Sequence, residues 1–303
     1  MWSATKGELN IMKKRFLPIL GLVLLPASLL LAQEGGQSKG DDDQPPIFVH
    51  PTVEGMALAR SAAGTAKATT AKNLTYHNGK VETTPAVYLV FYGSQWSSDP
   101  SGEAAILQNF FSHVGGSAWA NIDTQYYQTG PVYAGNQTGV LKGVWYDNTA
   151  AAPAHPTQSQ LAAEATKAAT HFASSSNVNA QYVIATSHGN SASGFGTQYC
   201  AWHSSTGNIS YTNLPYITDA GASCGANFNS LGPNAGITIV EGHEFSETVT
   251  DPFPSSGWVD SSGAEIGDKC AWTAATSLQS LNGASFPVQP LWSNAISGCA
   301  LSK

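Results

Sequence analysis

Hydrophobic positions change their spacing along the chain in a way that predicts alternating strands and helices. Continuous apolar runs indicate buried strands, and apolar residues three or four positions apart indicate helices. The predicted strands are 86–93, 144–146, 181–186, 199–203 and 209–217, and the predicted helices are 102–114, 158–174 and 234–249. This alternation predicts one mixed domain of the α/β (α+β) class over residues 81–303, in which helices flank a mixed sheet.

The N-terminal pattern is that of an export signal. Lys13, Lys14 and Arg15 precede an apolar run over 16–31, and small residues follow, with Ala32 as the expected cleavage site. The run is shorter than the roughly 20 residues of a membrane-spanning helix, so residues 1–32 are predicted to be a signal peptide. The polar, Gly/Ser/Ala-rich stretch 33–80 is predicted to be a disordered linker or a pro-segment.

Composition and charge narrow the expected partners. Hydrophobic residues make up 42% of the chain and charged residues 11%, with a net charge of -7. Nucleic-acid binding needs patches of Lys and Arg, and none occurs after Arg60, so no nucleic-acid partner is expected. No membrane partner is expected once the signal peptide is removed, and the predicted location is secreted, extracellular or periplasmic. The sequence gives no information on the oligomeric state.

The four cysteines all lie in the C-terminal third and are expected to form two disulfides in an oxidising compartment. Four cysteines allow three pairings. We favour Cys200–Cys224 and Cys270–Cys299, because these pairs close two separate local loops and pin down the C-terminal region.

The helix predicted over 234–249 carries the most informative pattern, His243-Glu244-x-x-Glu247. Positions i and i+4 lie on one face of a helix, so His243 and Glu247 project together and Glu244 lies beside them. The spacing is that of the H-E-x-x-H helix of zinc metalloproteases, with a glutamate in place of the second histidine. His243 and Glu247 are therefore predicted metal ligands, and Glu244 the catalytic base. The expected metal is zinc, with calcium as the alternative.

A third ligand must come from elsewhere in the chain. The Gly-containing stretch after Gly257 supplies Glu265 and Asp268 just before Cys270, and both are predicted ligands. Asp251, His188 and His203 are candidates to contact the ligands from behind and hold them in place.

Two plainer interpretations stay open at this stage. Glu244, Glu247 and Asp251 can form the solvated face of an amphipathic helix, with a partly buried His243. A carbohydrate-binding surface is the other possibility, built from the aromatic residues Trp96, Trp119, Trp145, Tyr126 and Tyr127.

Two stretches of the chain resemble a known family. The run 85–93 with Asp123-Thr124-Gln125-Tyr126-Tyr127, and the later segment 247–253, resemble the Exordium, or phosphate-induced, family of secreted plant proteins. The resemblance spans roughly residues 85–300 and implies an extracellular location. The combination H-E-x-x-E-x-x-T-D-P and G-x-E-I-G-D-x-C is similar to microbial relatives, in which the His-Glu pair implies metallopeptidase-like chemistry.

These patterns predict a secreted metal-dependent hydrolase, specifically a zincin-like peptidase that acts on a protein or peptide substrate. The alternative is a non-enzymatic, Exordium-like cell-wall or signalling protein whose acidic cluster binds a structural cation such as calcium.

Overall fold

A computed structural model of the chain describes residues 37–38, 46–65 and 72–303. The predicted signal peptide lies outside the described residues. The α-helices of the described chain are α1 (Val53–Thr65), α2 (Glu103–His113), α3 (Gln158–His171) and α4 (Ala235–Thr250). The strands are β1 (Gln37–Ser38), β2 (Ile47–Pro51), β3 (Thr75–Tyr76), β4 (Ala86–Tyr92), β5 (Tyr127–Gln128), β6 (Val132–Tyr133), β7 (Leu141–Asp147), β8 (Ala180–Thr186), β9 (Tyr199–Thr206), β10 (Ile209–Leu214), β11 (Trp258–Val259), β12 (Ser277–Leu281), β13 (Ala284–Val288), β14 (Leu291–Ser293) and β15 (Gly298–Ala300). Short 3-10 helices lie at Ser94–Ser97, Ala120–Gln125, Ile217–Cys224, Phe228–Ser230 and Asp268–Cys270.

The main sheet is mixed, with strand order β1-β2-β9-β10-β8-β4-β7. Strand β4 pairs in parallel with β7 and β8, and β8 pairs in parallel with β10. In the other half of the sheet all pairs are antiparallel: β1 with β2, β2 with β9, and β9 with β10. The prediction of a mixed sheet with flanking helices is therefore confirmed.

Helices cover both faces of this sheet, which explains why its central strands are almost continuously apolar. On one face, Leu161 and Ala165 of α3 pack against Val90 and Ile184. On the opposite face, α2 and α4 share a core with the alternate residues of the same strands, including Leu89. Helix α4 thus lies in the interior of the domain, and every one of its residues is buried.

The stretch 33–80 contributes to the domain in its described parts. Residues 47–51 form β2, which pairs with β9, and residues 53–65 form α1. The expectation of disorder is therefore wrong for these residues. Its composition is polar overall, but Phe48 and Met56 are apolar and buried, and together with the β9 pairing they hold the segment in place. A pro-segment remains a prediction.

Two disulfides join Cys200 to Cys224 and Cys270 to Cys299, the pairing favoured from the sequence. The first disulfide precedes α4 in the chain, and the second closes the loop that contains the hairpin β12–β13 and ends in β15. Within residues 37–38, 46–65 and 72–303, no helix combines the length and the apolar character that a bilayer crossing requires.

Candidate metal centre

Helix α4 brings His243, Glu244 and Glu247 into the protein interior, where each side chain is fully buried. A solvated face for this helix is therefore wrong. Burying ionisable groups costs free energy unless they are paired or hold a cation. Which of the two applies to these three side chains depends on the groups that surround them.

The first set of side chains converges on the ring of His243. Its Nε2 atom lies 2.9 Å from Oε1 of Glu247, one helical turn later, and 3.6 Å from Oδ1 of Asp268. These residues, His243, Glu247 and Asp268, form a buried group whose ligand atoms all lie within 4.8 Å of one another. Nε2 of His243 and Oδ1 of Asp268 have no hydrogen-bond partner.

The second set converges on His203, which β9 presents to α4. Its Nδ1 atom lies 3.1 Å from Oε2 of Glu244 and 3.6 Å from Oε2 of Glu247. On the opposite side of the ring, Nε2 lies 3.5 Å from Oε2 of Glu265. Glu247 therefore contacts both histidines, and Glu265 lies next to His203 instead of His243.

The loop that carries Glu265 and Asp268 is tied directly to α4. The backbone N–H of Asp268 donates to Oε1 of Glu247 at 3.0 Å, and the N–H of Glu265 donates to the Asp268 carboxylate at 3.0 Å. The disulfide of Cys270 follows two residues later. The loop position is thus fixed by main-chain hydrogen bonds and a covalent link, which leaves one oxygen of Asp268 facing His243.

Gln289 sets the orientation of the His243 ring. Its amide N–H groups donate to the carbonyls of Gly267 at 2.8 Å and Pro290 at 3.3 Å. The amide oxygen then faces Nδ1 of His243, 3.3 Å away, and accepts a hydrogen bond from the Nδ1–H group. The lone pair of Nε2 therefore faces Glu247 and Asp268. Outer partners that fix a histidine tautomer in this way are typical of metal ligands.

The carboxyl groups of the cluster lie close together without a Lys or Arg partner among the described residues. Burial raises the pKa of Glu244, Glu247, Glu265 and Asp268, and the neighbouring carboxylates raise it further for Glu244, Glu265 and Asp268. Across the described chain, the ion-pair partners of these carboxylates are histidines, not Lys or Arg. Several carboxylates this close must be protonated or must share a bound cation.

The histidines do not supply the missing charge. Burial lowers the pKa of His203 and of His243 to about 3, so both rings are neutral at physiological pH. Neutral imidazole is the form that binds metal ions. The cluster thus combines neutral nitrogen donors with carboxylate oxygens, which is the donor set of zinc and related transition metals.

Of the three residues predicted to support the ligands, His188 lies elsewhere in the fold and Asp251 lies beside the second set. Asp251 follows the last residue of α4 and accepts hydrogen bonds from Ser256, and burial raises its pKa to about 7. Its backbone carbonyl interacts with the His203 ring, and, beyond the effect of burial, its carboxylate raises the pKa of Glu265. His188 is largely exposed and pairs with Asp219 at 2.5 Å. His203, by contrast, contacts Glu244 and Glu247 directly.

The structure adds two residues that the sequence patterns did not indicate, Gln289 and His50. His50 is fully buried, its ring lies 4.1 Å from that of His243, and its Nε2 lies 3.2 Å from the Gln289 oxygen. Neither residue lies at a regular spacing from α4, and His50 falls in the stretch predicted as a linker. Of the aromatic residues considered for carbohydrate binding, Trp96, Trp119 and Tyr126 are buried.

Gly267 makes the close approach of the loop to His243 possible, which gives a testable prediction. A Cβ atom at this position would lie 2.6 Å from Nδ1 and 2.7 Å from Cγ of the His243 ring. We expect Gly267→Ala to displace the ring, to destabilise the fold by about 1–3 kcal/mol, and to weaken zinc binding by about 10- to 100-fold. Chemical denaturation and zinc titration measure the two effects.

The matched control is Gly298→Ala in β15, where the nearest atom to an added Cβ is 3.8 Å away. This variant is expected to bind zinc as the wild type does. Equal zinc affinity in the two variants would contradict the account of the loop.

Comparison of the chain with family models, with curated proteins and with solved structures finds no match.

Proposed function

We propose that this chain is a secreted, metal-dependent hydrolase, and specifically a peptidase of the zincin-like kind. The observation that carries the proposal is the convergence of His243, Glu247 and Asp268 in the interior, where His243 Nε2, Glu247 Oε2 and Asp268 Oδ1 have no hydrogen-bond partner. The presence of Glu244 beside them extends the proposal from metal binding to catalysis.

The donor atoms fit a zinc ion. Ligand atoms about 2 Å from a tetrahedral zinc ion lie roughly 3.3 Å from one another. The distances from His243 Nε2, 2.9 Å to Glu247 and 3.6 Å to Asp268, bracket that value. A histidine nitrogen among the ligands favours zinc over calcium, which binds through oxygen. His243, Glu247 and Asp268 would hold the ion.

The chemistry then divides between the metal and the chain. A bound zinc ion supplies Lewis acidity toward water and toward a peptide carbonyl. Glu244 would accept the proton of the attacking water and later donate it to the leaving amine. One oxygen of Glu244 faces Nδ1 of His203 at 3.1 Å, and the other has no partner and is free for this transfer.

The proposal includes the location and the substrate. The two disulfides are compatible with an oxidising, extracellular compartment, as is the predicted signal peptide. The resemblance to microbial, HExxE-containing relatives of the Exordium family supports the same location and is part of the proposal. The substrate is a protein or peptide.

The test is hydrolysis by the purified, zinc-loaded chain without its signal peptide. We expect the cleavage of an unfolded protein substrate to stop on chelation and to return when zinc is restored. Cleavage that is unaffected by removing all bound metal would contradict metal dependence. Peptide products are identified by mass spectrometry.

Complete burial of the cluster favours one other function. All the proposed ligands are buried, and a structural cation needs no access for substrate. In that case the chain is a non-enzymatic, Exordium-like extracellular protein stabilised by zinc or calcium. It would bind the metal with the same residues and show no hydrolysis with Glu244 intact.

A further inference from the structure

Strand β2 occupies the edge of β9, the strand that carries His203. Phe48 lies opposite His203, Val49 opposite Trp202 and His50 opposite Ala201 in an antiparallel ladder. On its other side β9 pairs with β10. The β2 side is therefore the edge of β9 at which an extended chain can be added, and residues 47–51 fill it.

A side chain of β2 reaches the metal centre itself. His50 lies between His243 at 4.1 Å and Trp272 at 4.8 Å, measured between ring centroids. Its Nε2 atom lies 3.2 Å from the oxygen of Gln289, the amide that orients His243. The N-terminal segment thus covers a proposed ligand with a flat, ring-shaped side chain.

Buried side chains of the domain hold this strand by its main chain. The indole N–H of Trp272 donates to the carbonyl of Pro51 at 2.7 Å, and the hydroxyl of Ser204 donates to the carbonyl of Pro46 at 2.9 Å. Ser204 is fully buried and Trp272 nearly so. Such contacts recognise any extended peptide, because every residue carries a carbonyl.

The rest of the segment is bound at residues 271–272 as well. Thr52 caps α1 by accepting from the N–H of Gly55 at 3.1 Å. The guanidinium of Arg60 in α1 donates to the carbonyls of Ala271 and Trp272. Residues 271–272 therefore hold both β2 and α1 over the centre.

We propose that the β9 edge, with Ser204 and Trp272, is the binding site for an extended peptide, and that residues 46–65 occupy it in this chain. In a bound peptide, the side chain at the position of His50 would be a ring of similar size that contacts Trp272, Gln289 and His243. The structure is then the occluded form of the protein, which accounts for the complete burial of the centre. Peptide binding at this edge does not require the proposed function; only the cleavage of the bound peptide rests on it.

The experiment uses the full chain without its signal peptide and a fluorescent peptide with the sequence of residues 46–52. The double variant His50→Ala/Arg60→Ala removes contacts from both halves of the segment. Opening the site raises the binding-competent fraction, so we expect the peptide to bind this variant at least about tenfold more tightly than the wild type. Fluorescence anisotropy measures the binding, with and without zinc.

Two controls make the result specific. Leu58→Ala changes a side chain of the same segment that is 67% exposed, and is expected to bind as the wild type does. A peptide with aspartate in place of the residue corresponding to His50 is expected to lose at least about tenfold in affinity, since it would bring a charge beside the carboxylate cluster. If the double variant does not fold, as judged by circular dichroism, the single variant Arg60→Ala is used, with an expected gain of about fivefold.

The proposal is overturned if the folded variant binds the peptide no more tightly than the wild type, or binds the aspartate peptide equally well. The same experiment tests the binding edge and the peptidase activity separately. Tight peptide binding without cleavage by the zinc-loaded variant would contradict the peptidase and leave the binding edge intact. Cleavage by a variant with no gain in peptide binding would contradict the binding edge alone.

Discussion

The Glu244→Gln variant is expected to bind zinc as the wild type does and to hydrolyse substrate about 10²- to 10⁴-fold more slowly. The amide keeps the size and most of the packing of the glutamate but cannot accept a proton. Glu244 is placed outside the group His243, Glu247 and Asp268, so the loss should fall on turnover and not on metal content. The rate is measured on an unfolded protein substrate after metal content has been matched.

Glu241→Gln is the matched control for this experiment. Glu241 lies on the same helix, is fully buried, and has a pKa that burial and the nearby Glu103 raise. It is absent from the group His243, Glu247 and Asp268, and also from a second group of possible metal ligands, His203, Glu244 and Glu247. A rate within about threefold of the wild type is expected for Glu241→Gln. An unchanged rate in Glu244→Gln would show that Glu244 is not the base.

Chelation of the metal is expected to destabilise the protein, and more so at higher pH. At a zinc concentration about 1,000 times the dissociation constant, binding adds about 4 kcal/mol to the free energy of unfolding. For a domain of this size that corresponds to a Tm difference of roughly 10 °C. Differential scanning calorimetry with and without chelator measures this difference.

The pH dependence follows from the raised pKa values of Glu244, Glu247, Glu265 and Asp268. In the metal-free folded state these groups hold protons that the unfolded chain has released, so stability falls as pH rises toward their folded pKa values. The lowered pKa values of His203 and His243 act in the opposite sense, but only below about pH 6.5, where unfolded histidine gains a proton.

The window from about pH 6.5 to 8.5 therefore isolates the carboxyl groups. Metal-free protein should lose Tm across it, whereas a bound cation replaces the protons, so the stabilisation by zinc should grow with pH. Buried carboxyl groups outside the centre, such as Glu82 and Glu103, affect loaded and metal-free protein equally and cancel in the difference. A difference in Tm that shrinks as pH rises would contradict the carboxylate-rich centre.

The fold and the helix of the centre are features that local patterns specify. Helix 234–249 was predicted almost to its observed limits, Ala235–Thr250, because apolar spacing and Pro252 mark its course. The spacing of His243 and Glu247 predicts their contact, since i and i+4 meet on any α-helix. The disulfide pairs also follow from short loops in the sequence.

The other residues of the centre are brought to α4 by contacts between parts of the chain that lie far apart in the sequence. Asp268 and Glu265 are both acidic and three residues apart, and only the folded loop shows that Asp268 faces His243 and Glu265 faces His203. His203 joins through the position of β9 beside α4. Pairing of β2 with β9 places His50 against His243, although the surrounding stretch has the composition of a linker.

The most direct test of the central claim is the zinc content of purified protein, measured by elemental analysis after loading and dialysis. The account predicts about one tightly held zinc ion per chain in the wild type and in Glu241→Gln. It also predicts loss of that zinc in His243→Ala and in Glu247→Gln, each verified as folded by circular dichroism. Absence of zinc from the loaded wild type, or full zinc content in Glu247→Gln, would contradict a metal centre built on His243, Glu247 and Asp268.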